Sequence, residues 1–267
     1  MKINNYVTTV VCSALFLCNL NVAQSQIDYG SNEGQYIKID DTDIYYEQYG
    51  EGIPTLLLHG GLGSISNFKN VIPKLSEHYQ LFAIDSPGHG RSQYLDSLSY
   101  TNLAKYIVKF LVKLDLNNVN IIGMHVAHLA PNRIDKLIFG AGALNPKASK
   151  PEGLKMLQNF SPELLPEEFA IAYREKSPNP DQWENFIYAS KRMWLDDIWI
   201  PEELISNLTC KVLVLFGDRD PFIPLNHYVE IHNKLRNSEL CILPDIGHEV
   251  FSNPELVNPI IMNFLSK

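Results

Sequence analysis

Side chains able to do chemistry are concentrated in a few short loops, each following a run of apolar residues. His59-Gly60-Gly61-Leu62-Gly63, Ser86-Pro87-Gly88-His89-Gly90-Arg91-Ser92, Gly217-Asp218-Arg219-Asp220 and Gly247-His248 combine glycines with imidazoles and carboxylates. A glycine-rich turn offers backbone N–H groups to an anion without side-chain obstruction, and a carboxylate beside an imidazole can orient it for proton transfer. Such groups suit reactions in which a carbonyl oxygen gains negative charge. They also need an attacking group. The turn inside Val119 to Gly140 is where it should stand, yet Gly123-Met124-His125-Val126-Ala127 contains neither serine nor cysteine.

The elements that must carry these loops follow from apolar periodicity. Tyr36–Ile39 and Asp43–Tyr49 flank the Asp40-Asp41 turn and predict a β-hairpin. Pro54–Leu58, Leu81–Asp85, Val119–Ile122 and Leu137–Phe139 are short branched apolar runs of the kind that become strands buried on both faces. Helical spacing falls between them, at Asn67–His78 and at Tyr100–Leu114, whose inner face would be Leu103, Ile107, Phe110, Leu111 and Leu114. Alternation of strand and helix predicts a mostly parallel sheet wrapped on both faces. Between Asn145 and Asn207 the pattern changes to helical pieces rich in Pro, Glu, Lys and aromatic residues, expected at Pro151–Gln158, Pro166–Glu175 and Asp181–Leu195. The core resumes with strands at Lys211–Phe216 and Glu239–Leu243 and helices at Leu225–Leu235 and Pro254–Leu265.

Length and composition fit one large α/β domain with an insertion, since 267 residues with 45% hydrophobic content can bury a sizeable core. The N-terminus reads as a secretory signal peptide: Lys2, the apolar run Val7–Leu17, then Val22-Ala23-Gln24-Ser25, with cleavage expected near Ser25. That run is too short to span a bilayer. An exported, periplasmic or extracellular protein is expected. Of four cysteines, Cys12 and Cys18 would leave with the leader; Cys210 and Cys241 remain, either as a disulfide or as two buried thiols. The formal charge of −8 comes without a basic stripe, which argues against nucleic acid and anionic membrane surfaces as partners.

From Tyr36 to the C-terminus the order of motifs resembles the α/β-hydrolase fold family, in particular its capped carboxylesterase and lactonase types. His59-Gly60-Gly61 corresponds to the family's oxyanion loop, Asp85–Ser92 to the turn after the following strand, Gly217-Asp218-Arg219-Asp220 to the acid turn and Gly247-His248 to the catalytic histidine loop. The resemblance implies that His248 acts as general base and then general acid, and that Asp220 holds its tautomer, with Asp218 the alternative acid. It implies that Gly61 or Leu62 supplies an oxyanion N–H, and that His59 packs beneath that loop. It implies a small-molecule ester-like substrate or ligand, with no metal and no organic cofactor. The domain division expected is a signal peptide over 1–25, core over 26–144 and 208–267, and a helical cap over 145–207.

One part of the family pattern is missing. His125 stands where Gly-x-Ser-x-Gly has its serine, and Ala127 where it has its second glycine. Only a short stretch separates Gly123 from Lys136, so the helix that normally returns to the next strand must be shortened. A missing segment of about eight residues containing the serine accounts for both departures. The expectation is a hydrolase of carboxylic esters or lactones whose turnover is impaired, or a non-catalytic binding or scaffold protein on the same fold. Two further consequences are expected: a loosened central sheet with exposed apolar surface, and no metal at His125 and His128, which lack a further ligand.

Overall fold

The computed structural model describes residues 27–32, 34–123, 129–197 and 200–267. The strands are β1 (Gln35–Ile39), β2 (Thr42–Tyr49), β3 (Ile53–Leu58), β4 (Tyr79–Ile84), β5 (Val119–Ile122), β6 (Ile134–Gly140), β7 (Lys211–Gly217) and β8 (Ser238–Leu243). They form one sheet in the order β1-β2-β4-β3-β5-β6-β7-β8. The β1/β2 and β2/β4 pairs are antiparallel and the remaining pairs parallel. All four residues of β5 are buried, as a central strand covered on both faces requires. The α-helices are α1 (Ile72–Leu75), α2 (Tyr100–Lys113), α3 (Pro151–Asn159), α4 (Glu167–Lys176), α5 (Trp183–Arg192), α6 (Glu202–Ser206), α7 (Leu225–Lys234) and α8 (Pro254–Leu265).

Two cores sandwich the sheet. On one face α2 inserts Ile107, Phe110 and Leu111, and α7 inserts Tyr228 and Ile231, against Leu56, Ile121 and Val214. On the other, α1 and α8 bring Leu75, Val257, Ile261 and Phe264 onto Leu57, Ile122 and Leu215. Ser99 caps α2 by accepting the Asn102 N–H at 3.1 Å, and Asn253 caps α8 through the Leu256 N–H at 3.3 Å. The expected helix over Asn67–His78 is instead a 3-10 turn, Ile65–Phe68, followed by the single turn of α1. Pro73 lacks the N–H that a continuous helix would use there.

Helices α3 to α6 all lie between β6 and β7, and α4 and α5 build a small core of their own, with Tyr173, Trp183, Phe186, Ile187 and Met193 packed on Leu98. The end of α5 widens into a π-turn, Met193–Asp197. The base of this helical insertion is tied to α7 and to the loop between β7 and α7. Leu144 N–H donates to His227 Nε2 at 3.2 Å, and Lys150 N–H donates to the Phe222 carbonyl at 2.7 Å.

The connection from β5 to β6 is short. Among its described residues the only helical structure is the 3-10 turn Pro131–Arg133, whereas a parallel crossover normally takes a dozen or more residues, mostly helical. The loosening expected from this is not seen as exposed strand: Val119 and Ile121 are fully buried, and Leu137 and Phe139 nearly so. The irregularity is local. Val119 pairs with Ile134 but Asn120 with Lys136, so Asp135 is an extra residue where the crossover enters β6. Cys210 and Cys241 are free thiols. They pack into opposite cores, one on each face of the sheet, which rules out a direct bridge.

Candidate active site

Asp220 and His248 are brought together by the ends of β7 and β8. Gly217 closes β7 where an added Cβ would run into the Ile246 and Gly247 carbonyls, so only glycine lets the two loops pack. Arg219 N–H then donates to the Ile246 carbonyl at 2.9 Å, locking the acid turn to the histidine loop. His248 Nδ1–H donates to Asp220 Oδ2 at 2.9 Å. Asp218 instead approaches Arg219 Nε at 3.7 Å and is partly exposed.

Asp220 is 2% exposed and fully engaged. Oδ1 accepts the N–H groups of Phe222 and Ile223 at 2.8 and 3.0 Å, and Oδ2 accepts the Tyr228 hydroxyl at 3.0 Å as well as the imidazole. Burial pushes its pKa up, but the His248 hydrogen bond and charge and the two backbone donors outweigh this and hold the carboxyl below its ordinary value. Lys150 Nζ donates to the Asp220 carbonyl at 2.6 Å, and the Phe222 ring meets the His248 ring edge-on at 5.1 Å. The fixed carboxylate can orient the imidazole with Nε2 directed away from it, and the His248 side chain is 38% exposed.

The glycine loop lies at the end of β3. Gly63 N–H closes a turn on the Gly60 carbonyl at 3.2 Å, with Leu62 at φ 58°, a conformation that costs a non-glycine residue about 1–2 kcal/mol. The N–H groups of Gly61 and Leu62 donate to no acceptor among the described residues, which leaves both available to an anion. His59 lies beneath: Nδ1–H donates to the Gly60 carbonyl at 2.8 Å and Nε2 accepts the Ser86 N–H at 3.0 Å. Burial lowers its pKa, only partly opposed by the charge of Asp85, so His59 is a neutral brace.

Over this loop sits Trp194 from the π-turn. A Cβ added to Gly61 would lie 2.6 Å from the indole Cζ2, and Phe160 meets the indole edge-on with ring centres 5.3 Å apart. In the sequence both belong to the aromatics of the insertion, which suggest an apolar, aromatic-lined pocket or packing within the insertion itself; their meeting with Gly61 depends on the widened turn. Tyr228, Lys150 and Phe222 were also missed, because single residues on separate elements carry no local motif. Trp183, Phe186 and Met193 are buried within the insertion, as packing residues should be.

The Ser92 hydroxyl is engaged elsewhere: Oγ donates to the Asp85 carbonyl at 2.5 Å and accepts the Tyr45 N–H at 2.8 Å. Among the described residues, no serine, threonine or cysteine hydrogen-bonds to His248. His125, His128 and Trp199 lie outside the described residues. The segment holding the two histidines, 124–128, has no serine, threonine or cysteine in its sequence. No group of three or more metal-ligating side chains occurs among the described residues, and no helix there is long and apolar enough to cross a membrane.

Comparison with known proteins agrees with this architecture. The family described as alpha/beta hydrolase fold matches residues 54–170. The 2-hydroxy-6-oxononadienedioate/2-hydroxy-6-oxononatrienedioate hydrolase 1 of Pseudomonas putida is 26% identical, over 87% of this chain and 96% of the relative. The uncharacterized hydrolase YugF of Bacillus subtilis (strain 168) is 27% identical, over 85% and 96%. Among solved structures, the meta-cleavage product hydrolase CumD of Pseudomonas fluorescens IP01 superposes with a TM-score of 0.73 at 20% identity, covering 87% of this chain and 97% of that one.

Proposed function

We propose that this chain, an α/β-hydrolase-fold protein with hydrolase relatives, binds a carboxylic ester, lactone or related carbonyl compound and turns it over weakly or not at all. The ligand carbonyl oxygen would lie on the N–H groups of Gly61 and Leu62, and the rest of the molecule against Trp194 and Phe160, with residues 145–207 acting as a cap. In hydrolysis the attacking hydroxyl would give its proton to His248, and Asp220 would stabilise the imidazolium that forms. The observation that carries the reading is the intact Asp220–His248 pair with no hydroxyl or thiol hydrogen-bonded to the imidazole among the described residues. Loss of the elbow also removes the second oxyanion donor, the N–H after the serine.

The relatives' names point to 2-hydroxy-6-oxo-dienoic acids, whose ketone would place a carbonyl on the same two N–H groups. Such a compound therefore belongs beside phenyl acetate as a probe. The test is thermal stabilisation measured together with product release. A rise in melting temperature without turnover supports the reading and favours its non-catalytic form. Rapid release of product from either probe overturns it. Export is part of the same proposal, resting on the Lys2, Val7–Leu17 and Ser25 pattern. A mature N-terminus near Gln26 on the exported protein would support it, and an intact Met1 would contradict it.

A further inference from the structure

Both ends of the His59–Ser64 loop hang on two consecutive residues after β4. His59 Nε2 accepts the Ser86 N–H, and the Ile65 N–H donates to Asp85 Oδ1 at 2.9 Å. Asp85 is wholly buried. Its Oδ2 accepts the Arg91 N–H at 2.8 Å and the Tyr29 hydroxyl. The Arg91 guanidinium does not pair with this carboxylate: it donates to the Tyr45 hydroxyl at 2.9 Å and stacks over the Tyr29 and Tyr45 rings at 4.6 and 5.2 Å. Neutral donors therefore hold a carboxylate whose pKa burial pushes up.

Tyr29 reaches Asp85 from a separate piece of chain. Ile27 N–H donates to the Lys69 carbonyl at 3.4 Å, Gly30 N–H to Oε1 of the buried Glu47 at 2.6 Å, and Asn32 Nδ2 to the Gln48 carbonyl. The insertion also reaches the Tyr29 ring, with Lys176 Nζ of α4 lying over it 4.8 Å from the ring centre. The N-terminal segment, the sheet and the insertion thus meet at one phenol. The Arg91 N–H is also 3.1 Å from the Tyr29 oxygen, so the hydroxyl, the amide and Asp85 Oδ2 form a closed cluster.

We propose that Tyr29 is a positioning residue of the candidate site: its hydroxyl fixes the Asp85 carboxylate, and through Asp85 it fixes the Ile65 amide and the glycine loop before it. The importance of this for the site rests on the reading that the loop receives a carbonyl oxygen; the positioning itself does not. Removing one oxygen atom leaves a buried carboxylate short of a donor, so Asp85 should shift toward solvent and release Ile65.

The test is amide hydrogen exchange of the full chain carrying Tyr29→Phe, alone and combined with Asp85→Asn. The expected result is exchange at Ile65 and Arg91 at least about tenfold faster than in the wild type, with Val214 and Ile261 unchanged. In the Asp85→Asn background, Tyr29→Phe should add less than about twofold at Ile65. Unchanged exchange at Ile65, or equal acceleration at all four amides, overturns the proposal, because a merely structural residue lowers protection everywhere. Should the phenylalanine variant not fold, 4-fluorophenylalanine at position 29 carries the test, because its fluorine fills the space of the hydroxyl but cannot donate to Asp85: exchange at Ile65 should again be at least about tenfold faster with Val214 and Ile261 unchanged, and unchanged exchange at Ile65 overturns the proposal. Failure of this experiment leaves the ligand-binding reading standing, and failure of that reading leaves this one standing.

Discussion

Trp194 occupies the space a side chain at position 61 would need: a methyl group on Gly61 would lie 2.6 Å from the indole. The glycine is thus required twice, for an unobstructed N–H and for the approach of the insertion. Gly61→Ala should displace the indole and destabilise the fold by about 1–3 kcal/mol, the usual cost of overpacking. Trp194→Ala in the same chain should recover most of that loss, because the clash is then gone. Urea unfolding of the two single variants and the double variant measures the coupling. Additive losses would mean that the indole does not rest on Gly61.

Two buried carboxylates should tilt the pH dependence of stability in opposite directions. Asp220 has a folded pKa below its ordinary value, so its contribution is complete above about pH 3.9 and is lost as pH falls through the folded value. Asp220→Asn should therefore cost about 1–3 kcal/mol at neutral pH, with a gap to the wild type that narrows in acid. Asp85 has a folded pKa raised by burial, so ionising it costs stability as pH climbs from about 3.9 through the raised value. Asp85→Asn should flatten that decline. Denaturant melts across pH 3 to 8 separate the two, and a wild-type curve matched by both variants would refute the assignment.

The parts of the fold legible in the sequence are those governed by local pattern. The β1/β2 hairpin around Asp40-Asp41, the apolar runs of β3 to β8 and the last helix, Pro254–Leu265, lie where apolar spacing places them. The meeting of Asp220 and His248 was legible through the resemblance of Gly217-Asp218-Arg219-Asp220 and Gly247-His248 to the family's acid turn and histidine loop. Tyr228 on Asp220 and Trp194 on Gly61 were not, since each depends on how a helix packs across the end of the sheet. The helix expected over Asn67–His78 was misread because Phe68, Val71, Ile72 and Leu75 have helical spacing whether or not Pro73 interrupts it. The free state of Cys210 and Cys241 also needed three dimensions: sequence places both near strands but not on opposite faces.

If a serine-bearing segment is absent after Gly123, as proposed, supplying it should restore chemistry. Insertion of about eight residues after Gly123, carrying Gly-x-Ser-x-Gly and one added helical turn, supplies both a nucleophile and the second oxyanion donor. Ester hydrolysis by the inserted protein should exceed that of the present chain by at least about a hundredfold and should vanish in its Ser→Ala version. A folded insertion variant with no gain would show that the Asp220–His248 pair or the glycine loop is not set for catalysis.

The central claim is that the acid, the imidazole and the glycine loop stand ready without an attacking hydroxyl. Hydrolysis of p-nitrophenyl acetate by the purified chain, followed from the first seconds beside His248→Ala, tests it most directly. The account predicts no burst of p-nitrophenolate and a steady rate within about twofold of the variant's, since no acyl-enzyme can form. A burst approaching one equivalent, lost in His248→Ala, would contradict it.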